Sequence, residues 1–171
     1  MTVSVARYAG FCMGVQQAVA RAMQAAEQAA EKGLPCWSLG EVVHNPSVTD
    51  RLLSLGVRVA QSVEEAAGGL LILRSHGVSP DILERCRQLS IPYVDCTCPH
   101  VQALHRIVGD YADPEGCVVL VGERDHPEVQ GTAGWSRRPV HVVFTAEDVE
   151  RLPQLSKALV VSQTTIPEEK W

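Results

Sequence analysis

Leu70-Leu71-Ile72-Leu73-Arg74-Ser75-His76-Gly77-Val78-Ser79-Pro80 is the stretch from which the rest of the chain reads. It opens on an apolar run, apolar on both faces, as a parallel strand covered by helices requires. It continues through a short polar loop, and Pro80 then suits the first position of a helix over 80–89. Strand, polar loop and helix make one unit, and the same unit recurs outward in both directions.

Further short β-branched runs fall at 3–7, 37–39, 92–95, 117–121, 140–144 and 159–162. Helices are predicted over 15–32, 47–55, 101–111 and 146–152. The clearest is 15–32, where Val15, Ala18, Val19, Ala22, Met23, Ala26, Ala29 and Ala30 recur at helical spacing and Gly33 stops it. Strands alternating with helices predict an α/β fold with parallel sheets. A boundary near 97–99 divides the chain into a first unit over 1–97 and a second over 98–171.

The 171 residues are 46% apolar and 20% charged, an ordinary globular composition. Net charge is −5 and the 15 Lys and Arg are scattered, so there is no basic stripe for nucleic acid. The apolar runs are far shorter than a membrane span, and Met1-Thr2-Val3-Ser4-Val5 is no signal peptide. A cytoplasmic protein, off the membrane, is expected. Cysteines stand at 12, 36, 86, 96, 98 and 117; in that compartment they read as core thiols and metal ligands rather than disulfides.

Six polar loops join a strand to a helix: Gly10–Gly14, Glu41–Pro46, Ser75–Pro80, Cys96–Pro99, Asp125–Glu128 and Ser162–Thr165. In open α/β sheets ligands bind at the carboxyl ends of the strands, where helix N-termini offer free N–H groups to anions. Three His, two Cys, a Glu and a Thr at such places describe a site for an anion and a metal.

Each residue has a plainer reading as well. Cys12, between Gly10 and Gly14, could equally be a structural thiol. In Cys96-Thr97-Cys98 alternate residues point oppositely, so one of the pair faces a site, and the Pro after it favours Cys98. Cys36, Cys86 and Cys117 read as core. His44, His76 and His126 each sit in a turn beside Gly, Asn or Pro; His100, His105 and His141 read as surface or packing residues. Glu128 could simply complement a helix dipole, and Thr164 or Thr165 could cap a helix after Pro167.

With those motifs in order, the chain resembles the IspH/LytB family of 4-hydroxy-3-methylbut-2-enyl diphosphate reductases. The residues that carry the likeness are Gly-Phe-Cys-Met-Gly-Val (10–15), Glu-Val-Val-His-Asn (41–45), Ser-His-Gly-Val-Ser (75–79), Thr-Cys-Pro (97–99), His-Pro-Glu-Val (126–129) and Gln-Thr-Thr (163–165). The resemblance implies three similar α/β units around a cavity, of which this chain supplies two. It implies Cys12 and Cys98 as two of three ligands to a [4Fe–4S] cluster, and His44, His76, His126 and Thr164 as substrate-binding residues. Glu128 matches the proton donor. Three thiolates leave one iron open to act on the substrate hydroxyl. Ferredoxin or flavodoxin is the implied electron donor, and isopentenyl and dimethylallyl diphosphate the products. Protonated imidazoles near the diphosphate are expected to give charge-assisted hydrogen bonds.

The family's third cluster cysteine, with a Ser and Asn group, has no match here, and Cys36, Cys86, Cys96 and Cys117 do not replace it. The resemblance therefore implies a partner, either a third domain or a complementing chain, without which the two units are inactive. Two other readings stand beside it: a free-standing isoprenoid-diphosphate-binding module without redox activity, and a zinc-binding hydrolase using Cys12, Cys98 and nearby His.

Overall fold

The computed structural model describes residues 3–4 and 9–167. Helix α1 (Met13–Glu31) leads into β1 (Cys36–Leu39), α2 (Pro46–Ser54), β2 (Val57–Ala60), β3 (Leu70–Leu73), α3 (Pro80–Gln88) and β4 (Tyr93–Asp95). Then follow α4 (Pro99–Asp110), β5 (Gly116–Val121), α5 (Pro127–Gly134), β6 (Val140–Val143), α6 (Ala146–Glu150) and β7 (Lys157–Ser162).

Among the described residues the strands form two sheets, ordered β2-β1-β3-β4 and β6-β5-β7. Every pairing is parallel, with Cys36 opposite Leu70 and Val118 opposite both Val140 and Leu159. The α/β class with two small parallel sheets is therefore as the alternation predicts. The change of sheet falls between β4 and β5, and α4 packs Leu104 and Val108 against Val118, Leu120 and Val161 of the second sheet.

The first sheet is covered on one face by α1. Its buried stripe of Ala18, Ala22, Ala25, Ala26 and Ala29 lies in one core with Val42, Val48, Leu52 and Ile72. Alanines let that helix approach closely, and they are also the best helix formers. The opposite face packs Leu39, Leu71 and Leu73 with Val78, Cys86 and Ile91. Central β3 is thus apolar throughout, as its sequence suggested.

The structure departs from the expectations at several points. Strand β2 was not predicted, because at the sheet edge it buries only Val57 and Ala60 and exposes Arg58 and Val59, which leaves no apolar run. Helix α5, read only as a helix start at Glu128, runs on through Gly131 to Gly134 despite weak periodicity. Of the strand expected over 3–7, residues 5–7 lie outside the described residues, as does most of the helix expected after Pro167.

Candidate functional site

Motif residues are helix N-caps: Cys12 of α1 and, in loops that follow strands, Asn45 of α2, Ser79 of α3, Cys98 of α4 and His126 of α5. Asn45 Oδ1 accepts from Val48 N–H at 3.2 Å, a cap worth about 1 kcal/mol. Cys12 and Cys98 make no such side-chain bond, so neither thiol is committed to its helix.

Backbone bonds beyond the strand ends tie these loops together. Ser75 N–H donates to Val42 O at 2.9 Å, and Ser75 O accepts from Cys98 N–H at 2.9 Å. The loops of His44, His76 and Cys98 therefore share one residue. Helix α1 docks on the same place, because a Cβ on Gly14 would collide with Cys98 Sγ. Two residues after Cys12, the chain thus lies against the second thiol. Cys12 is exposed and Cys98 half-buried.

The three loop histidines meet. Ring centroids lie 4.4 Å apart for His44 and His76, 5.3 Å for His76 and His126, and 5.8 Å for His44 and His126. His44 and His76 come from loops of the first sheet and His126 from the second. Helix α5 makes the meeting possible, because its far end packs on the loop after His76. Trp135 Nε1–H donates to Val78 O at 2.9 Å, and a Cβ on Gly131 would stand 3.3 Å from Gly77 O. Trp135 also stacks on His105, with centroids 5.3 Å apart. His105 is buried behind Gly77, whose φ of +74° and lack of a Cβ leave room for the imidazole.

Burial opposes protonation of two of the three imidazoles. Burial pushes His76 down to about 4, with the positive charges of His44, His126 and Arg74 adding to the effect. His126 is also lowered, chiefly by burial. Its Nδ1 accepts from Glu128 N–H at 3.1 Å, which puts the proton of the neutral ring on Nε2. Burial thus favours the neutral, hydrogen-bond-donating form of His76 and His126. Buried His76 Nδ1 has no partner.

Glu128 follows in the first turn of α5 and is 1% exposed. Its Oε1 accepts from Thr164 N–H at 2.5 Å and its Oε2 from the Thr164 hydroxyl at 2.9 Å. Thr164 is therefore engaged with Glu128, with no helix following it among the described residues. Buried Gln163 supports this corner: its Oε1 accepts from Glu123 N–H at 3.2 Å and its Nε2 donates to Thr165 Oγ1 at 2.8 Å.

The structure thus brings His44, His76 and His126 together, places Glu128 and Thr164 in direct contact beside His126, and sets Cys98 against the start of α1. The thiols and the imidazoles do not form one cluster. Among the described residues, the group of three or more His, Cys, Asp or Glu whose ligand atoms lie close enough to share a metal ion is His44, His76 and His126, all within 4.8 Å of one another. This removes the geometric basis for a zinc centre built from both thiols and histidines. Cys36, Cys86, Cys96 and Cys117 are buried in the cores, and desolvation pushes Cys96 up to about 12, an inert thiol. His100 is exposed, His141 half-buried and His105 a buried packing residue.

Sequence reasoning gave no role to Arg74, Ser75, Trp135 or Gln163. Gln163 and Ser75 stood inside quoted motifs, whereas Trp135 had no local signal at all. No helix among the described residues is long and apolar enough to cross a membrane.

Comparison with known proteins follows the same lines. A family model described as LytB protein matches residues 3–171. The 4-hydroxy-3-methylbut-2-enyl diphosphate reductase of Thermoanaerobacter sp. (strain X514) is 39% identical over 174 residues, covering 100% of this chain and 60% of the relative. That of Geobacter sulfurreducens is 42% identical over 165 residues, covering 96% and 57%. A solved structure of (E)-4-hydroxy-3-methyl-but-2-enyl diphosphate reductase superposes with a TM-score of 0.81 at 38% identity, covering 98% of this chain and 59% of its own. The Plasmodium falciparum reductase gives a TM-score of 0.87 at 28% identity, covering 96% and 52%. The chain spans about 60% of the length of the curated relatives it matches. It belongs to the IspH/LytB family.

Proposed function

We propose that this chain supplies the diphosphate-binding and proton-delivering part of a 4-hydroxy-3-methylbut-2-enyl diphosphate reductase, with two of the ligands to its cluster. The observation that carries the reading is the meeting of His44, His76 and His126, with ligand atoms within 4.8 Å of one another, beside the Glu128–Thr164 pair. Three ring donors at that spacing suit a phosphate chain with many acceptor oxygens. His126 Nε2–H and the His76 ring are the natural donors in the neutral state, and a bound dianion would draw protons onto the imidazoles and strengthen each bond.

The donor set fits an iron–sulfur cluster in part. Cys12 and Cys98 are free thiols at helix N-termini, while the remaining cysteines are buried in cores. These two would hold two corners of a [4Fe–4S] cluster, and the third thiolate has to come from a further domain or a complementing chain. Such a cluster supplies electrons and a Lewis-acidic iron. In the overall reaction one C–O bond breaks and one C–H bond forms, two electrons and two protons are consumed, and the hydroxyl leaves as water. Ferredoxin or flavodoxin would supply the electrons in the cytoplasm. Glu128, two residues after His126, is the proton source of this reading, and Thr164 holds its carboxyl in place through both oxygens. We divide the chain into units over 1–97 and 98–171, with the site between them.

Calorimetry on the iron-free chain with dimethylallyl diphosphate tests the reading. Binding is expected in the wild type and a loss of roughly tenfold or more in H76A or H126A, the effect of removing a charge-assisted hydrogen bond. No heat at millimolar ligand would end it. Anaerobic copurification with a complementing third unit should give brown protein with iron and sulfide, and C12S or C98S should lose that colour.

A further inference from the structure

One imidazole outside the histidine cluster presses on the turn that carries it. His105, in the middle of α4, is 5% exposed, and its Nε2 is buried with no hydrogen-bond partner. An unpaired buried nitrogen costs folding free energy that an apolar side chain would avoid. The place of the ring accounts for that cost.

His105 stands where the two units meet. Gly77, directly after His76, abuts its Cε1–Nε2 bond: a Cβ on Gly77 would collide with His105 Cε1 and come 3.1 Å from Nε2. Trp135 stacks on the ring, with centroids 5.3 Å apart and planes 23° apart. The same indole donates from Nε1–H to Val78 O at 2.9 Å, and its helix α5 begins at His126. Thr97 stiffens the neighbouring wall, because its N–H donates to Asp95 Oδ1 at 2.9 Å and its hydroxyl donates to the same oxygen. The path from His76 to His126 therefore runs through Gly77, the His105 ring, Trp135 and α5. An imidazole suits this slot as a small flat ring: it offers Trp135 a face to stack on and lets the Gly77 backbone come close. A benzene ring is larger, and an aliphatic side chain is thicker.

We propose that His105 is a positioning residue of the diphosphate site, the spacer that fixes how far His76 stands from His126. It acts on the anion only through Gly77 and Trp135. The proposal rests on the diphosphate reading above and adds to it the residue that brings the histidines of the two units to one spacing. A cavity of about 340 Å³, lined by His105 and Trp135 together with Thr97 and Gln102, opens beside the ring and gives a small molecule access to it.

The test is titration of the iron-free chain with inorganic pyrophosphate, in wild type, H105A, H105F and H105L. H105A opens a hole between Gly77 and Trp135 and should bind roughly tenfold more weakly, since a small misplacement of binding groups is costly. H105F keeps a ring against Trp135 and should lose about threefold, the effect of mild overpacking. H105L keeps bulk without a flat face and should lose more than H105F. Two readouts separate spacing from a mere loss of stability. In folded H105A the His76 and His126 ring NMR signals should move while those of His141 stay in place. Added imidazole should fill the hole and restore pyrophosphate affinity in H105A, with no gain in wild type. Binding by H105A and H105L within about twofold of wild type, or a loss in H105A that imidazole leaves unrepaired, would overturn the His105 assignment and leave the diphosphate reading standing. Should H105A not fold, H105F and H105L carry the test, and equal losses in the two overturn the assignment. A wild-type chain that takes up no pyrophosphate overturns the diphosphate reading, and the His76 and His126 signals of the variants then decide the role of His105 alone.

Discussion

Thr164 donates twice to Glu128, from its backbone N–H to Oε1 and from its hydroxyl to Oε2. One residue at the end of β7 thereby fixes both oxygens of a carboxyl group at the start of α5. The bond joins two chain segments 36 residues apart, beside the loop that carries His126. The carboxyl's orientation is set by the second sheet's own connectivity, before any ligand arrives.

The first prediction concerns that pair. E128L keeps most of the bulk but leaves both Thr164 donors without an acceptor. Because Glu128 is 1% exposed, water cannot take its place, and a loss of about 1–3 kcal/mol is expected. E128Q should cost less, since its amide oxygen can accept from Thr164 N–H while its NH₂ donates to the Thr164 hydroxyl. T164A removes only the hydroxyl bond and should also cost less. Urea unfolding of the variants gives the comparison, and an E128L as stable as wild type would contradict it.

Acid should destabilise the fold. His76 and His105 are each pushed down to about 4 in the folded chain, mainly by burial, from an ordinary value near 6.5. Between those values the unfolded chain binds more protons than the folded one, so stability rises with pH across the window. The stabilising neutral forms are present above about 6.5 and their contribution is lost as pH falls toward 4. Thermal melts from pH 7 to pH 4 should show the decline. H105F, which keeps a ring against Trp135, should flatten it.

Helix α1 should not tolerate a methyl group at Gly14. The added Cβ would meet Cys98 Sγ, so either α1 or the Cys98 loop must move. G14A is expected to cost about 1–3 kcal/mol, as overpacking does. It should also speed alkylation of Cys98 under native conditions, read by mass spectrometry. Equal labelling rates in G14A and wild type would mean that the two segments are not held against each other.

Thiol reagents should sort the cysteines by place. Cys12 is exposed and should be modified first, Cys98 more slowly. Cys36, Cys86, Cys96 and Cys117 are buried and should react only on unfolding. Rapid native labelling of Cys96 would refute its position in the core.

Trp135 should matter to a site it does not touch. W135F keeps the ring against His105 but deletes the bond to Val78 O, at a cost of about 1 kcal/mol. Diphosphate affinity should weaken with it, because the loop after His76 loses its tie to α5. Unchanged affinity with lowered stability would assign Trp135 to the fold alone.

Much of this was legible residue by residue. The apolar runs of β3 and β5 could only be buried parallel strands, and the alanine stripe of α1 could only face a core. Polar loops carrying His44, His76, Cys98 and His126 had to fall at the strand ends, because strand-to-helix connections in parallel sheets all turn there. Strand β2 escaped, since an edge strand with Arg58 and Val59 exposed shows no apolar run. What the amino-acid order could not contain was how one sheet sits against the other. The spacing of His76 and His126 depends on α5 lying on the Gly77–Ser79 loop through Gly131, Gly134 and Trp135, residues that carry no chemical signature. The lowered pKa of His76 likewise arises from burial and neighbours. Periodicity and motif order are local properties, so the chain alone determined its elements and its chemical groups. Distances between loops, and the desolvation that tunes the groups on them, are made only when the two sheets pack.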